Sequence, residues 1–588
     1  MISAVRQLGE WKLKREAKDT LDVLIQPIDE NRYPHILMIH LDGDRWTVEL
    51  EECQTSTSDR LLYRRGSPRG INFSPTAMVT DATTTFDIKL LAWFKKVIKE
   101  QKKYEPTDIE CMEKAYRIID GDQEAIMERI QEKMKGLKGG VVLSIKIDGS
   151  YLKEIPAFVT IFSAMVNEKD LKNFAENQVC SVCGKEHSVV LAGSSAFKFY
   201  TDDKPGFITG HFDKKRSWRN YPVCMECNLM LQEGKRLVEE RLRFRFYGLS
   251  YTLIPQFLFG ETELQEEILD ILISGGKNRS LQDQSVKDYL GEEDEILEEL
   301  TDASDSLVLN LLFMQKIQSA ERILMLVEDV VPSRLNTIFE AKKSVERKFP
   351  FRDDPDRYRP YHFGRLRTFF RKSDENKRDN DLDKYFLEIT ASVFRGQELN
   401  VRFLSTFMMK EIRKGFVREE GMDRLVRDAV MNLLFLEALK ILSKGESVWM
   451  KESRFETVFQ QYGPHLNRPE KRGLFLLGVM TQLLLRVQYR ERHAHPFQKQ
   501  LKGLKMHEKD FLGLLPKVQE KLQQYESYDR GKQLLSREIS DLLLSSRPGW
   551  KMSVDEMNFY FASGMNLYDQ VTPILYPEKE LSKEAEKV

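Results

Sequence analysis

Cys180-Ser-Val-Cys183 and Cys224-Met-Glu-Cys227 are the two segments of this 588-residue sequence from which its fold is most directly predicted. Each CxxC pair presents two thiolates on a tight turn, and four thiolates form the tetrahedral shell that Zn²⁺ prefers. A closed shell of four cysteines leaves no position for water, so the pattern predicts one structural zinc ion rather than a catalytic one. A redox motif needs only one such pair, which makes that alternative the weaker one.

The segment between the two pairs is longer than the roughly 15–20 residues usual for a zinc ribbon, which predicts an insertion. Its part from Phe197 to Tyr221 mixes cations, which neutralise phosphates, with aromatic rings, which stack on bases. The alternative is the ribbon's own small core surrounded by solvated lysines, with His187 and His211 as spare donors on the surface. The candidate DNA-binding residues here are Lys204, Lys214, Lys215, Arg216, Trp218, Arg219 and Asn220.

Short β-rich runs precede this region, and helical patterns follow it. The runs LDVLIQPI, HILMIHL and RWTVEL within residues 19–90 alternate with turn signals and predict antiparallel strands. KGGVVLSIKIDG predicts a further strand after a helical stretch, and from about Glu261 onward nearly every pattern indicates helix. The fold class is therefore α+β, with a mixed α/β N-terminal region, an inserted zinc ribbon and a mainly α-helical C-terminal bundle.

Four domains are expected from these changes in pattern. They are a mixed α/β domain over 1–175, the zinc ribbon with its basic aromatic insertion over 176–260, a helical middle region over 261–400 and a C-terminal helical bundle over 401–588. The acidic run Asp283–Asp305 within the third is expected to be a solvated connection, because it has too little apolar surface to pack.

Two further basic segments are candidate DNA-binding surfaces. The stretch Lys342–Lys372 is rich in cations and aromatic rings, and the loop Tyr63–Phe73 combines arginines with glycines. Charge runs are commonly solvated faces, and the loop has an ordinary structural role as its alternative. The candidates are Lys342, Lys343, Arg347, Lys348, Arg357, Arg359, Arg365 and Arg367 in the first segment, and Arg64, Arg65 and Arg69 in the second.

Composition excludes several other classes of protein. The formal net charge is -1, so a nucleic-acid surface must be local rather than spread over the whole molecule. Gly473–Leu485 is the most apolar run and is too short to span a bilayer, and the N-terminus lacks a secretory signal, so we expect no membrane association. Six cysteines, of which Cys53 and Cys111 look like ordinary thiols, favour a reducing cytoplasm. The GxxxxGK[ST], HExxH and GxSxG motifs are absent from the sequence, which predicts a protein that is not an enzyme.

The order of five segments resembles a known family. These are CxVCG, FKFYTxDKPGFITGxFD, WRNYPVCMECNLMLQEGK, LRFRFYGLSYTLIPQF and VEDVVPSRL, and together they look like the large subunit of the type I-B CRISPR surveillance complex, Cascade. The resemblance extends to FLLGVMTQLLLRVQ and LKGLKM and so reaches most of the chain.

The resemblance implies a non-catalytic, antiviral DNA-binding subunit. Such a subunit binds the PAM, the short duplex motif beside the target, grips the displaced strand, supports R-loop formation and recruits a separate helicase-nuclease. The implied partners are guide RNA, double-stranded target DNA, and the backbone, guide-end capping and small subunits. The family supplies no residue-level PAM motif. A zinc-ribbon nuclease or polymerase-like subunit and an RNA–protein scaffold remain the alternatives.

Relatives of this system can make their small subunit by internal translation of the large-subunit gene. Met450 is a candidate start because codons for Gly445-Glu446 can resemble a ribosome-binding sequence. Met422, preceded by Glu419-Glu420, is a rival start, and two common residues can also occur there by coincidence.

Overall fold

The computed structural model describes two compact units. The first comprises Met1–Leu242 with Lys316–Glu321, and the second comprises Arg243–Gln315 with Arg322–Val588. The description omits residues 17–19, 67–69, 171–173, 195, 197–212, 259–264, 267, 271, 274–296, 298–299, 301–306, 318–319, 349–360, 444–449, 451, 463–464, 547 and 578–588. The predicted acidic connection therefore lies outside the described residues, apart from Leu297 and Leu300.

The first unit combines two sheets with surrounding helices. Its strands are β1 (His35–Asp42), β2 (Arg45–Glu52), β3 (Ala77–Val79), β4 (Val141–Ile147), β5 (Ser150–Tyr151), β6 (Phe174–Val179), β7 (Glu186–Leu191) and β8 (Val223–Cys224). Its helices are α1 (Ile2–Arg15), α2 (Thr20–Leu24), α3 (Thr55–Ser58), α4 (Ala82–Thr85), α5 (Ala92–Lys99), α6 (Pro106–Gly121), α7 (Gln123–Met134), α8 (Pro156–Asp170) and α9 (Met225–Arg241), with a π-helical turn at Phe86–Leu91.

The larger sheet has the order β2-β1-β4-β3, and β5 pairs with β4. β1 and β4 run parallel, whereas β1 and β2 form the antiparallel hairpin that the sequence predicts. Alternation along β1 sends Leu37 and Ile39 into a core with the rings of Trp93 and Phe158. Ile36 points to the opposite face, which packs a smaller apolar cluster. Both faces of the central strands are therefore covered.

The prediction of a strand for LDVLIQPI is wrong. Its first residues belong to the short helix α2, and the remainder is irregular. Val23, Leu24 and Ile25 are all buried. A short apolar run of this kind is compatible with either a strand or a buried helical turn, so its pattern did not decide between them.

The second unit contains one sheet and a large set of helices. Its strands are β9 (Arg243–Phe246), β10 (Leu249–Phe257), β11 (Leu307–Ile317) and β12 (Ala320–Val330). Its helices are α10 (Pro332–Glu346), α11 (Phe363–Arg367), α12 (Asp383–Arg395), α13 (Val401–Arg418), α14 (Met422–Ala438), α15 (Glu456–Tyr462), α16 (Pro469–Arg492), α17 (Glu508–Leu512), α18 (Leu514–Gln524), α19 (Arg530–Ser545), α20 (Val554–Asn566) and α21 (Tyr568–Leu575).

Strands β11 and β12 correct the prediction that nearly everything beyond Glu261 is helical. They complete a four-stranded sheet of order β12-β11-β10-β9. Every residue from Leu307 to Phe313 is buried, so the run shows no alternation that would distinguish a strand from a buried helix. The helical C-terminal bundle is confirmed, and so is the α+β class of the chain.

Helices α16 and α20 form the tightest crossing of that bundle. A Cβ added to Gly478 would collide with the carbonyl oxygen of Phe561, and one added to Gly564 would collide with that of Phe475. Glycine at both positions lets the two backbones approach more closely than any larger side chain would allow. The apolar residues at three- and four-residue spacing in α16 are buried here, as their periodicity predicts.

Candidate metal centre and nucleic-acid surfaces

The four cysteines of the two CxxC pairs converge in the first unit. Cys180 and Cys183 lie on the turn between β6 and β7, while Cys224 ends β8 and Cys227 lies in the first turn of α9. The four Sγ atoms all lie within 4.8 Å of one another. A tetrahedral shell with Zn–S bonds of about 2.3 Å requires sulfur separations of about 3.8 Å. The cluster can therefore hold a metal ion such as zinc.

Backbone N–H groups surround the buried sulfurs of this cluster. The N–H groups of Val182 and Cys224 lie 3.4 Å and 3.3 Å from Cys180 Sγ. Burial raises the pKa of Cys180, but these hydrogen bonds outweigh it and bring the pKa to about 7. Burial raises the pKa of Cys224 to about 11 and also raises that of Cys227. A bound cation would stabilise all four thiolates, because metal binding and deprotonation are coupled.

Two basic side chains lie next to the cysteines. His187 is half-buried, and its Nε2 lies 3.2 Å from Cys183 Sγ, so it is not the plain surface residue that the sequence analysis expects. Burial lowers the pKa of Arg6, but a hydrogen bond to Cys227 and the charges of Glu10 and Cys227 outweigh burial and raise that pKa, so this guanidinium lies beside the cluster. Donors in this position orient metal ligands and balance their negative charge.

Arg6 reaches the cluster because helices α1 and α9 cross at very short range. A Cβ on Gly9 would collide with the carbonyl oxygen of Met230, and a Cβ on Gly234 would collide with that of Val5. Lys12 of α1 is also 3.2 Å from the fully buried carboxylate of Glu233 on α9. The N-terminal helix is therefore a structural support of the cysteine cluster.

The basic residues before the second cysteine pair form a short 3₁₀ helix, Lys214–Arg219. Lys215, Arg216 and Arg219 are exposed, whereas Trp218 and Asn220 are half-buried. The guanidinium of Arg219 lies 5.5 Å from the ring centre of Trp218. The segment that follows is attached to the first cysteine pair through a 2.8 Å hydrogen bond from the Ser181 N–H to the Pro222 carbonyl. Several side chains that are predicted to bind phosphate therefore lie close to the candidate metal centre.

A cleft of about 1030 Å³ opens in the first unit, next to the apolar cluster on the second face of the large sheet. Its lining includes four cations and one carboxylate, that of Asp29. The Asp29 carboxylate already accepts the Asn31 N–H at 3.1 Å. Tyrosine, asparagine, glutamine and threonine side chains add hydrogen-bonding groups to the wall. The four cations are Arg32, Arg65, Lys89 and Arg236.

Arg65 is close enough to its neighbours in the cleft to change their titration. Burial lowers the pKa of Lys89, and the positive charge of Arg65 lowers it further. Burial raises the pKa of Tyr63, whereas Arg65 opposes that rise. Arg65 itself is exposed, and the loop that bears it is fixed by a hydrogen bond from Gly66 N–H to Asn72 Oδ1 at 3.1 Å. The cleft therefore presents positive charge from several elements, and the backbone at Arg65 and Gly66 is held by hydrogen bonds.

Arg64 has a different environment from Arg65. Its Nη1 donates to the carbonyl oxygen of Leu24 at 2.9 Å, and its guanidinium lies 5.9 Å from the ring centre of Phe73. Arg64 thus ties the loop to the body of the unit. Of the three arginines predicted in this loop, Arg65 lines the cleft, and Arg69 lies outside the described residues.

Sequence reasoning missed the other three cations of the cleft. Arg32 precedes β1, Lys89 lies in the π-helical turn, and Arg236 comes from α9. Arg32 and Lys89 have only neutral or acidic neighbours in the sequence, whereas Arg236 follows Lys235 in a segment of mixed charge, so none belongs to a conspicuous basic run. Only the fold brings them together, and no local signal could have identified them.

The predicted patch Lys342–Lys372 separates into exposed and buried members. Arg347 is exposed, and Lys342, Lys343 and Lys348 are half-buried. Lys348 donates to the carbonyl oxygen of Gln461 at 2.8 Å, and burial lowers its pKa. Arg357 and Arg359 lie outside the described residues, as do Lys204, His211 and the side chain of Lys214.

Arg365 and Arg367 are structural residues rather than surface cations. Arg365 pairs with Asp428, and both side chains are more than nine-tenths buried. Arg367 makes three hydrogen bonds of 2.8–3.0 Å to the Asp383 carboxylate and a fourth to the Tyr247 carbonyl oxygen. These contacts occupy both guanidinium groups inside the second unit, which corrects their assignment to a phosphate-binding face.

These features define an α+β protein with a basic cleft and a four-cysteine cluster that can hold a metal ion, and comparison with protein families identifies its class. Models of the N-terminal, central and C-terminal domains of CRISPR-associated protein TM1802 match residues 1–164, 177–330 and 361–579. The chain belongs to this family, which confirms the resemblance to the large subunit of a type I-B Cascade. No curated protein matches the chain significantly.

The helices of the structure were compared with the length and apolarity that a membrane span requires. Within the described ranges, every helix is too short or too polar to cross a bilayer, including α16, which contains the most apolar run of the sequence.

Proposed function

We propose that this chain binds PAM-side target DNA through the basic cleft of its first unit. The observation that carries the proposal is the convergence in one lining of four cations from separate elements with one carboxylate, Asp29; Arg236 also pairs with the buried Glu233 at 2.9 Å. Such a cleft attracts the phosphate backbone, while its amide and hydroxyl side chains are of the types that read base edges. Arg65 is the leading candidate for a base or phosphate contact, because it is exposed and its backbone is fixed by hydrogen bonds from its own N–H to Gln26 Oε1 and from the Gly66 N–H to Asn72 Oδ1.

The four cysteines hold one structural Zn²⁺ in this proposal. The ion would be bound by thiolates from both ends of the insertion and would fix the 3₁₀ helix that presents Lys215, Arg216 and Arg219. Four protein ligands close the coordination shell, so the ion supplies stability rather than chemistry. Trp218 and Asn220 would support the same DNA-facing segment.

The second unit grips the displaced strand, supports R-loop formation and recruits the helicase-nuclease, while guide RNA reads the target by base pairing. Support for this part is the family membership together with the exposed cation Arg347. Lys342 and Lys343, which are half-buried, would contribute beside it. The chain itself performs no catalysis in this proposal. It works in the cytoplasm together with the other Cascade subunits.

Internal translation from Met450 would produce a separate, shorter chain that contains its own hydrophobic core. Met450 is half-buried beside undescribed residues, and the α16–α20 crossing lies wholly downstream of it. The short chain would lack the partners of some of its ion pairs. For example, it would contain Asp555 but not Arg413, whose Nη1 lies 2.6 Å from the Asp555 carboxylate in the full chain. A Met450→Leu gene that still yields the short product would exclude this start, and Met422→Leu tests the rival.

The cleft proposal is tested with the complete complex. A tagged chain is purified with its partners, the bound RNA is sequenced, and binding to a matching DNA duplex is measured at several salt concentrations. Arg65→Gln should reduce the slope of log K against log salt by about 0.9 if it contacts a phosphate. If Arg65 instead contacts a base, we expect a loss of about 1–3 kcal/mol that depends on the PAM.

Arg117→Gln is the matched control, because Arg117 is an exposed arginine of α6 and is not among the residues that line the cleft. Equal DNA affinity and equal salt slope for Arg65→Gln and Arg117→Gln would refute the cleft as the binding surface. Loss of complex assembly in Arg65→Gln, with DNA binding intact in any complex that forms, would favour the scaffold alternative.

A further inference from the structure

A second cavity lies in the C-terminal bundle, where three long helices begin. Its volume is about 480 Å³, and its lining includes Val401 at the start of α13, Arg468 at the start of α16 and Met552 just before α20. The N-terminus of a helix carries partial positive charge from its unpaired N–H groups. Asn400 and Ser553 cap the N-termini of α13 and α20, so of the three it is the N-terminus of α16, which has no side-chain cap, that leaves N–H groups for a negative charge.

Charged side chains add to this field. Arg402, Arg468, Lys471 and Lys551 line the cavity with only two carboxylates, those of Glu437 and Glu556. Glu556 is already engaged, because it accepts the Ser553 N–H in a capping box and the Nε–H of Arg402 at 3.2 Å. Arg468 Nε likewise lies 2.8 Å from Oε1 of Glu470, so the excess positive charge of the lining comes from Lys471 and Lys551 against Glu437.

Two buried polar atoms face this cavity without satisfied hydrogen bonds. The His465 side chain is 8% exposed, and its Nδ1 lies 3.8 Å from Oε2 of Glu437, which is too long for a hydrogen bond. Among the residues that the structure describes, neither atom has another hydrogen-bond partner. The His465 ring is held against Tyr560, with ring centres 5.7 Å apart. A buried polar group without a partner is costly, so a ligand or water is expected there. The His465 imidazole can donate to an anion, whereas the Glu437 oxygen accepts only and requires a donor such as water.

Lys471, which also lines the cavity, is fixed in position by two contacts. Lys471 donates to Asn467 Oδ1 at 3.1 Å and lies 5.2 Å from the ring centre of Tyr560. Burial lowers the pKa of Lys471, because its ammonium group is partly removed from water. A bound anion would offset that cost. Water alone would satisfy hydrogen bonds but would not balance the positive charge.

We propose that this cavity binds a phosphate group, held by Arg468 and Lys471 beside the first turn of α16, with Arg402 and Lys551 on its wall. The N-cap residue Arg468 provides no side-chain acceptor for that turn, so its N–H groups are suited to the anion. The size of the cavity suits a single nucleotide. The phosphate comes either from a free mononucleotide or from the end of a nucleic-acid strand, and the inference does not depend on the cleft of the first unit.

The test is titration calorimetry on the full chain at low salt. The probes are inorganic phosphate, adenosine monophosphate, and a short oligodeoxynucleotide with and without a 5′-phosphate. Arg468→Gln and Lys471→Gln should each weaken phosphate binding about tenfold or more, since each removes a charge-assisted hydrogen bond. The matched control is Lys517→Gln, because Lys517 is an exposed lysine of α18 and is not among the cavity-lining residues.

Binding of the mononucleotide would identify a free nucleotide as the source. Binding of only the 5′-phosphorylated oligonucleotide would identify a strand end. Absence of binding by all four probes, or equal binding by the native chain and the Lys471→Gln variant, would overturn the proposal. If the buried-site variants fail to fold, the exposed rim residue provides a second variant, Lys551→Gln, which should weaken binding without a change in circular dichroism.

Discussion

Replacing Arg367 by methionine removes the charged partner of Asp383 from the interior of the second unit. The two side chains are 10% and 22% exposed, and the arginine also donates to the Tyr247 carbonyl oxygen. Breaking a buried ion pair costs about 3–5 kcal/mol, and the partial exposure of Asp383 points to the lower end, about 3 kcal/mol. For a unit of this size we expect the melting temperature to fall by roughly 4 °C.

Differential scanning calorimetry measures this effect, and DNA binding is measured on the same samples. Arg367→Met should lower the melting temperature of the second unit and leave the salt slope of DNA binding unchanged. The double variant Arg367→Met/Asp383→Leu should recover part of the loss, because no unpaired carboxylate remains. An unchanged melting temperature together with weaker DNA binding would refute the structural role and restore Arg367 to the phosphate-binding surface.

Three other predictions concern the cysteine cluster, the α1–α9 crossing and the effect of pH. Native protein should contain about one zinc ion per chain by elemental analysis. Cys227→Ser or a strong chelator should remove the zinc and lower the melting temperature of the first unit. A metal content well below one ion per chain would exclude a structural zinc site. Gly234→Ala should cost at least about 1–3 kcal/mol in chemical unfolding, since its Cβ has no space against Val5, and a neutral result would show that the crossing is looser. Burial lowers the pKa of His362 to about 4, so the unfolded chain takes up its proton first as the pH falls. Stability should therefore be complete above about pH 6.5 and fall by up to about 3 kcal/mol towards pH 4, and unfolding curves of His362→Gln should lack this component.

The sequence analysis succeeded where chemistry is encoded locally. Two CxxC pairs predict a four-cysteine cluster because each pair is a complete local unit, and the fold only has to bring the two together. The α16 periodicity likewise indicates its buried face without knowledge of its neighbours. Both features are confirmed in the described structure, whereas the occupancy of the cluster by zinc stays a prediction.

The failures arise where the outcome depends on distant parts of the chain. Arg365 and Arg367 belong to a conspicuous charge run, yet their partners Asp428 and Asp383 turn them inward. Lys89 has no unusual local context, and only the fold brings it beside Arg65. Buried runs such as Leu307–Phe313 lose the alternation that would have identified a strand.

Photochemical cross-linking of target DNA to the purified complex tests the central claim most directly. A duplex carrying a photoreactive base on the PAM side is bound and irradiated, and the attached peptides are identified by mass spectrometry. The cleft proposal predicts cross-links on peptides that contain Arg65 or Lys89, and their loss in Arg65→Gln but not in Arg117→Gln. PAM-side cross-links confined to the second unit, or to other subunits, would contradict it.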